Sequence, residues 1–321
     1  MAKYRVLSID GGGVRGLITI ILMQRLAQLP GLKDWHKNAA LYAGTSTGGI
    51  IALGLAHGIT LATGRKLYEE KSARVFDDSW IDDTLDLFNV IGAEYSSDFA
   101  ESELRKWFGG TTLAGLSKRV VVPTFDLDNS DDISVKYSGK PKAQKWKPKI
   151  FHNFSAADTG IKAPCYKVAL YTSAAPTFFP TKDGFVDGGV FANNPSMCAL
   201  TQTQDPRNDR PEDRPNLNEV VLLSLGTGES LKYVSGGDLD WGYAQWAKPI
   251  LSVLLDGIAG IADYQCAQLL REKYHRLNPT FPQGKEYQYD SVEPQEIAEM
   301  IAFAENCDLT ETAQWLHDQW V

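Results

Sequence analysis

In this chain of 321 residues the side chains best suited to chemistry sit in three glycine-bearing turns. One of them, Gly44-Thr45-Ser46-Thr47-Gly48, has G-x-S-x-G spacing between an apolar Leu41-Tyr42-Ala43 and a second apolar run, Ile50-Ile51-Ala52-Leu53. A serine on a sharp strand-to-helix turn crowds its neighbours and leaves room only for glycine on either side, while its hydroxyl projects as a nucleophile. The same turn sets Ser46 at a helix N-terminus, where the backbone N–H of Thr47 can help hold an oxyanion. The chemistry implied is acyl transfer through a tetrahedral intermediate.

Another turn, Asp10-Gly11-Gly12-Gly13-Val14-Arg15-Gly16, follows the apolar run Tyr4-Arg5-Val6-Leu7-Ser8-Ile9. Bare backbone N–H groups at the start of a helix attract negative charge. The amides of Gly11, Gly12 and Gly13 could serve as further oxyanion donors to the Ser46 site. The spacing of Gly11, Gly13 and Gly16 equally fits G-x-G-x-x-G, the phosphate loop of a nucleotide-binding oxidoreductase. That alternative leaves Ser46 unexplained, and no acidic residue ends a clear second strand where a ribose would need one.

A nucleophilic serine needs a base, and histidine is the usual one. Of the five histidines, His36 falls in a polar connection, His57 with Gly58 closes the helix after Ser46, and His317 lies in the C-terminal tail; all three read as surface or cap residues. His152, within Phe151-His152-Asn153-Phe154, and His275, ending a helix-like run, stay open. A carboxylate is the stronger candidate. The third turn, Phe185-Val186-Asp187-Gly188-Gly189, carries an acid at the end of an apolar step, although an ordinary Asp-Gly turn would look the same.

These turns need a scaffold that brings them to one place. Residues 4–9, 119–124 and 220–225 read as strands, and residues 17–26 as a helix. Their regular alternation predicts an α/β fold, a three-layer α/β/α sandwich with a mostly parallel central sheet and C-terminal helices packed on it. In such a sheet, turns that follow neighbouring strands emerge at the same edge. The chain is read as one domain over 1–321, with all motifs in a core of 1–228 and a mainly helical extension over 229–321.

Together, Asp10-Gly11-Gly12-Gly13-Val14-Arg15-Gly16, Gly44-Thr45-Ser46-Thr47-Gly48-Gly49 and Asp187-Gly188-Gly189 resemble the patatin-like phospholipase family, in the family's order. Pro123-Thr124-Phe125-Asp126-Leu127, Thr172-Ser173-Ala174-Ala175-Pro176-Thr177-Phe178-Phe179-Pro180 and Asn193-Asn194-Pro195 resemble its bacterial members, so the likeness extends to about Gly228. The resemblance implies a Ser–Asp dyad without histidine, with Ser46 as nucleophile and Asp187 as the group that activates it. It also implies an oxyanion hole from the amides of Gly11, Gly12 and Gly13 with Arg15 in a supporting position, and no cofactor. The implied substrate is a lipid or phospholipid at a membrane surface, cleaved as by a phospholipase A or lysophospholipase. Some bacterial members answer to a cyclic nucleotide, so a small-molecule activator belongs to the expectation. A catalytically silent lipid-binding protein is the remaining alternative.

Composition narrows the partners. A hydrophobic content of 43% with 22% charged residues suits a well-buried globular fold, and a net charge of −8 argues against a nucleic acid polymer and against global attraction to an anionic bilayer. Membrane approach would then be local, through the basic and aromatic stretch 136–149 or the aromatic stretch 233–246, both read first as solvated loops. Residues 247–258 and 264–271 read as amphipathic helices that pack on the sheet or cover the site, residues 294–320 as one or two more helices, and residues 206–215 as an exposed loop. Cys165, Cys198, Cys266 and Cys307 show neither metal-ligand nor disulfide spacing and read as buried free thiols. A strand beginning at Tyr4 leaves no room for a signal peptide, which places the protein in the cytoplasm, with peripheral contact at the inner membrane face.

Overall fold

Strand residues that read as nearly continuous apolar runs divide between two cores once the backbone alternation is applied. Leu7, Ile9, Tyr42, Val120, Val122, Val221 and Leu223 point to one side. Val6, Leu41, Ala43, Val121, Val220 and Leu222 point to the other. A sheet buried on both faces has no polar side to show, which is why its strands carry no polar alternation.

The computed structural model describes residues 3–76, 97–128, 145–176, 178–232, 241, 242, 246, 249–291 and 293–321. Elements run β1 (Tyr4–Ile9), α1 (Gly16–Gln28), β2 (Leu41–Gly44), α2 (Thr47–His57), α3 (Leu61–Phe76), α4 (Ser97–Phe108), β3 (Arg119–Asp126), β4 (Lys147–His152), α5 (Cys165–Ser173), β5 (Phe185–Asp187), α6 (Gly189–Ala192), α7 (Ser196–Thr203), β6 (Val220–Leu225), α8 (Pro249–Leu270), β7 (Tyr274–Leu277), α9 (Pro294–Asn306) and α10 (Thr310–Trp315). The sheet order is β4-β3-β2-β1-β6-β7, with β5 also paired to β3. Contacts β1–β2, β1–β6, β2–β3 and β6–β7 are parallel, whereas β4 and β5 run antiparallel to β3. Side chains of α1, α2 and α5 fill the first core, and those of α7 and α8 fill the second. The result is a three-layer α/β/α arrangement around a mostly parallel sheet.

The chain builds outward from β1 to β4 and then returns to β1's other side for β6 and β7. Crevices at the carboxyl ends of strands where the order reverses are the usual ligand sites of such sheets. The glycine-rich turn after β1 occupies that position.

Several elements differ from the sequence reading, each for a local reason. His275 lies on β7 rather than at a helix end; β7 pairs with β6 from Leu222↔Tyr274 to Leu225↔Leu277, so the 229–321 segment supplies a sheet strand as well as helices. Residues 247–258 and 264–271 fall largely within one 22-residue helix, α8. Its Ala262, Cys266 and Leu270 are buried while Val253, Leu254, Ile261 and Tyr264 are exposed, because positions four apart share a helical face. Helix α9 buries Met300 and Ala304, and Arg25 of α1 donates to Ala304 O and Cys307 O near the C-terminal end of α9.

In the 206–215 loop, Asn208 and Asp213 are buried rather than exposed. The Asp213 carboxylate accepts from Arg119 Nε at 2.7 Å, which ties the loop to β3. His36 is also buried, its ring edge-on to Trp35, and burial lowers its pKa. Cys165 and Cys266 are buried free thiols, and Cys198 and Cys307 are half-buried. The basic stretch ends in β4, where Lys147 and Lys149 sit opposite Asp126 and Thr124; its residues 136–144, and most of 233–246, lie outside the described residues. Among the described residues no helix is long and apolar enough to cross a membrane.

Candidate active site

Strand registry brings the second and third turns together. Strand β2 pairs with the first half of β3, ending at Ala43↔Val121. Strand β5 pairs with the second half, ending at Thr124↔Asp187. Because β4 occupies the other edge of β3 from Val121 to Asp126, β2 and β5 share one edge and run toward each other. Their carboxyl ends meet across two residues of β3, so Ser46 and Asp187, 141 positions apart, converge. The glycine-rich turn joins them because β1 and β2 are parallel neighbours.

Ser46 has φ 55° and ψ −126°, a conformation that L-residues rarely adopt. It is held from several sides. A Cβ on Gly44 would lie 2.0 Å from Gly48 O, and one on Gly48 would lie 2.2 Å from Ile9 O, so both flanking positions require glycine. Thr45 N donates to Ile9 O at 3.2 Å, Thr45 Oγ1 donates to Ala192 O at 2.6 Å, and Ser46 N donates to Thr172 Oγ1 at 3.0 Å. Thr47 begins α2, where first-turn amides lack intrahelical acceptors, and its hydroxyl hydrogen-bonds the Tyr68 hydroxyl of α3.

Asp187 is buried at the end of β5. Its backbone N donates to Ala174 O at 2.9 Å, and its Oδ1 accepts from Gly189 N at 2.7 Å. Burial pushes its carboxyl up to about 6, against hydrogen bonds from the Ser46 side chain and the Gly189 amide that favour the ionised form. A carboxylate with this setting keeps enough basicity to take a proton near neutral pH.

The glycine-rich turn divides its amides between structure and cavity. Gly11 N donates to Asn193 O at 3.0 Å and Gly11 is not in the cavity wall; the expected oxyanion donor is thus spent joining β1 to the turn after α6. Gly12 and Gly13 line the cavity beside Ser46, Thr47 and Asp187, and their amides have no protein acceptor among the described residues. Arg15 does not reach this wall. Its guanidinium is buried against Tyr289, 3.8 Å from the ring centroid, and 5.8 Å from that of Phe281, an electrostatically favourable stacking. Val14 N donates to Tyr289 O at 2.8 Å, and a Cβ on Gly13, at φ +57°, would overlap that oxygen. Asp10 faces Arg276 Nη2 of β7 at 2.6 Å; burial raises its carboxyl while Arg276 pulls it down.

The cavity holds about 190 Å³ and is walled mainly by apolar side chains, among them Leu104 and Trp107 of α4, Leu170 of α5, Phe178 and Leu255. None of the five histidines lines it. His152 faces Asp158 at 3.3 Å, and His275 bonds Thr312 and stacks on Trp315, so the two that stayed open are engaged elsewhere. Among the described residues no cluster of His, Cys, Asp or Glu could hold a metal ion.

Thr172, Asn193, Arg276 and Tyr289 shape the site without having been assigned a role from sequence. Thr172 and Asn193 carried a signal, as members of the family-like stretches at residues 172–180 and 193–195. The others act through backbone atoms or pairings across hundreds of positions, which no local pattern encodes.

Comparison with known proteins places the chain among relatives. The family model described as patatin-like phospholipase matches residues 7–200, a span that contains all three turns. Patatin-like protein 2 of Oryza sativa subsp. indica is 31% identical over 305 residues, covering 80% of this chain and 71% of that protein. A cGAMP-activated phospholipase of Pseudomonas aeruginosa is 28% identical over 283 residues, covering 86% and 78%. Protein teg of Priestia megaterium is 25% identical over 355 residues and is matched end to end, 100% of each chain. With its fold, its three turns and a family match over more than half its length, the chain belongs to the patatin-like phospholipase family.

Proposed function

We propose that this protein, a lipid acyl hydrolase by family, cleaves carboxylic esters of phospholipids or lysophospholipids through Ser46 and Asp187. The observation that carries the reading is that Ser46 and the buried carboxyl of Asp187 line the same apolar cavity, close enough for the Ser46 side chain to favour the ionised carboxylate. Asp187 takes the hydroxyl proton as Ser46 Oγ attacks the ester carbonyl carbon. The resulting oxyanion is held by the amides of Gly12 and Gly13, joined by Thr47 at the α2 N-terminus. Collapse expels the alcohol, which receives the proton from Asp187 and leaves the acyl group on Ser46. Water then enters, gives a proton to Asp187, and attacks the acyl-enzyme; the second collapse releases fatty acid and returns the proton to Ser46.

The apolar wall suits an acyl chain, since each buried methylene contributes ~0.8 kcal/mol. A relative named for activation by cGAMP makes that compound the first activator to include. The test is mass spectrometry of lipid products from wild type and Ser46→Ala incubated with mixed phospholipid vesicles, with and without cGAMP. Fatty acid and lysolipid from wild type alone are expected. Equal release by Ser46→Ala would refute the serine mechanism, and binding without release by a folded wild type would favour a silent lipid-binding protein.

A further inference from the structure

We infer that Thr172 is a positioning residue: its side-chain hydroxyl sets the separation between Ser46 and Asp187. The inference rests on the Ser46–Asp187 reading and goes beyond it. Thr172 is fully buried near the end of α5, between the two halves of the site. Its Oγ1 accepts from Ser46 N at 3.0 Å and donates to Pro123 O of β3 at 2.7 Å. A hydroxyl has one proton to give. Donation to Pro123 O therefore turns an oxygen lone pair toward the Ser46 amide, and the two bonds fix each other's direction.

The same stretch holds the aspartate. Two residues on, Ala174 O accepts from Asp187 N at 2.9 Å. Pro123 O also lies against the other partner, since a Cβ on Gly188 would approach it to 2.2 Å. One short segment thus grips the backbone of the nucleophile through a side chain and the backbone of the base through a carbonyl. β3 serves both as anchor. Ser46 needs such a grip because its φ of 55° and ψ of −126° are not conformations the residue keeps unaided. Relaxation of that peptide would swing Oγ away from Asp187, and small misplacements of reacting groups cost rate rather than binding.

The hydroxyl and the methyl of Thr172 have separable roles. The methyl carbon Cγ2 packs near Gly49, where an added Cβ would come within 2.7 Å of it, and this packing is structural. Thr172→Val keeps the shape and removes both hydrogen bonds; Thr172→Ser keeps the hydroxyl and removes the methyl. The experiment compares wild type, these two variants and Ser46→Ala by thermal unfolding, by steady-state kinetics on a p-nitrophenyl ester, and by the rate of labelling with a fluorophosphonate. Thr172→Val is expected to lose roughly 100-fold in kcat and in labelling rate with KM within about threefold, while Thr172→Ser stays within about threefold of wild type throughout.

Wild-type kcat in a folded Thr172→Val protein would overturn the inference, as would a defect confined to KM or equal damage in Thr172→Ser. Hydrogen exchange of the wild-type Ser46 amide gives a second measure if Thr172→Val does not fold: strong protection is expected, and free exchange overturns the inference. Activity or labelling that survives in Ser46→Ala would instead remove the dyad reading on which the inference rests.

Discussion

Replacing Asp187 by Asn should stabilise this protein while abolishing its activity, and the size of the gain follows from where the carboxyl sits. Asp187 is buried and its pKa rises from 3.8 to about 6, chiefly through loss of hydration. At ~1.4 kcal/mol per pH unit, ionising it inside the fold costs ~3 kcal/mol relative to the unfolded chain. The sign is set by proton uptake. Between about pH 4 and pH 6 the unfolded chain releases this proton and the folded one keeps it, so stability falls as pH rises through that window and stays lowered above it. Below pH 4 both states are protonated and the penalty is absent.

Asn keeps the shape and stays neutral. Its Oδ1 can still accept from the Gly189 amide that Asp187 Oδ1 accepts from in the wild type. Urea denaturation of wild type and Asp187→Asn from pH 5 to pH 8 should give an advantage to the variant of ~1.5 kcal/mol at pH 5, widening to ~3 kcal/mol at pH 8. In parallel, wild-type kcat/KM should rise with pH around about 6 as the base ionises, and the variant should lose ~100-fold or more in turnover. A variant that is no more stable at pH 8, or a stability gap that does not grow with pH, would refute the claim that Asp187 is ionised at a desolvation cost. Full activity in Asp187→Asn would refute its role as base.

Two further outcomes are expected. Ser46→Gly should raise stability by ~1 kcal/mol, measured by urea denaturation against Ser46→Ala, because the left-handed φ of 55° suits glycine and strains a residue with a Cβ; a loss in Ser46→Gly relative to Ser46→Ala would show that the elbow stores no strain. Leu104→Trp, which narrows the cavity that Leu104 lines, should shift preference in a p-nitrophenyl ester series from long to short acyl chains by ~10-fold or more, and an unchanged chain-length profile would place the acyl group elsewhere.

The three turns were legible because their constraints are local. Gly44 and Gly48 are required by backbone atoms within a few residues of Ser46 or at the end of the neighbouring strand, and strand-turn-helix patterning around them is written in contiguous residues. The two-faced sheet was equally readable, since buried strands leave nearly continuous apolar runs from Tyr4 to Ile9 and from Val220 to Leu225, interrupted only by Arg5, Ser8 and Ser224. Strand β7 was missed because Tyr-His-Arg-Leu at 274–277 is only half-buried apart from Leu277 and gives no apolar signature.

Which donors stay free was decided by the fold alone. Gly11, Gly12 and Gly13 are identical in sequence, yet Asn193 O takes the first amide and the cavity receives the other two. Arg15 adjoins the same turn but spends its guanidinium on Tyr289, 274 positions away. Composition and periodicity specify what each segment can do. Only pairing across the sheet, where β2 and β5 end head-on along one edge of β3, determines which of those groups meet, because hydrogen-bond registry between distant strands is a property of the assembled sheet and not of any stretch within it.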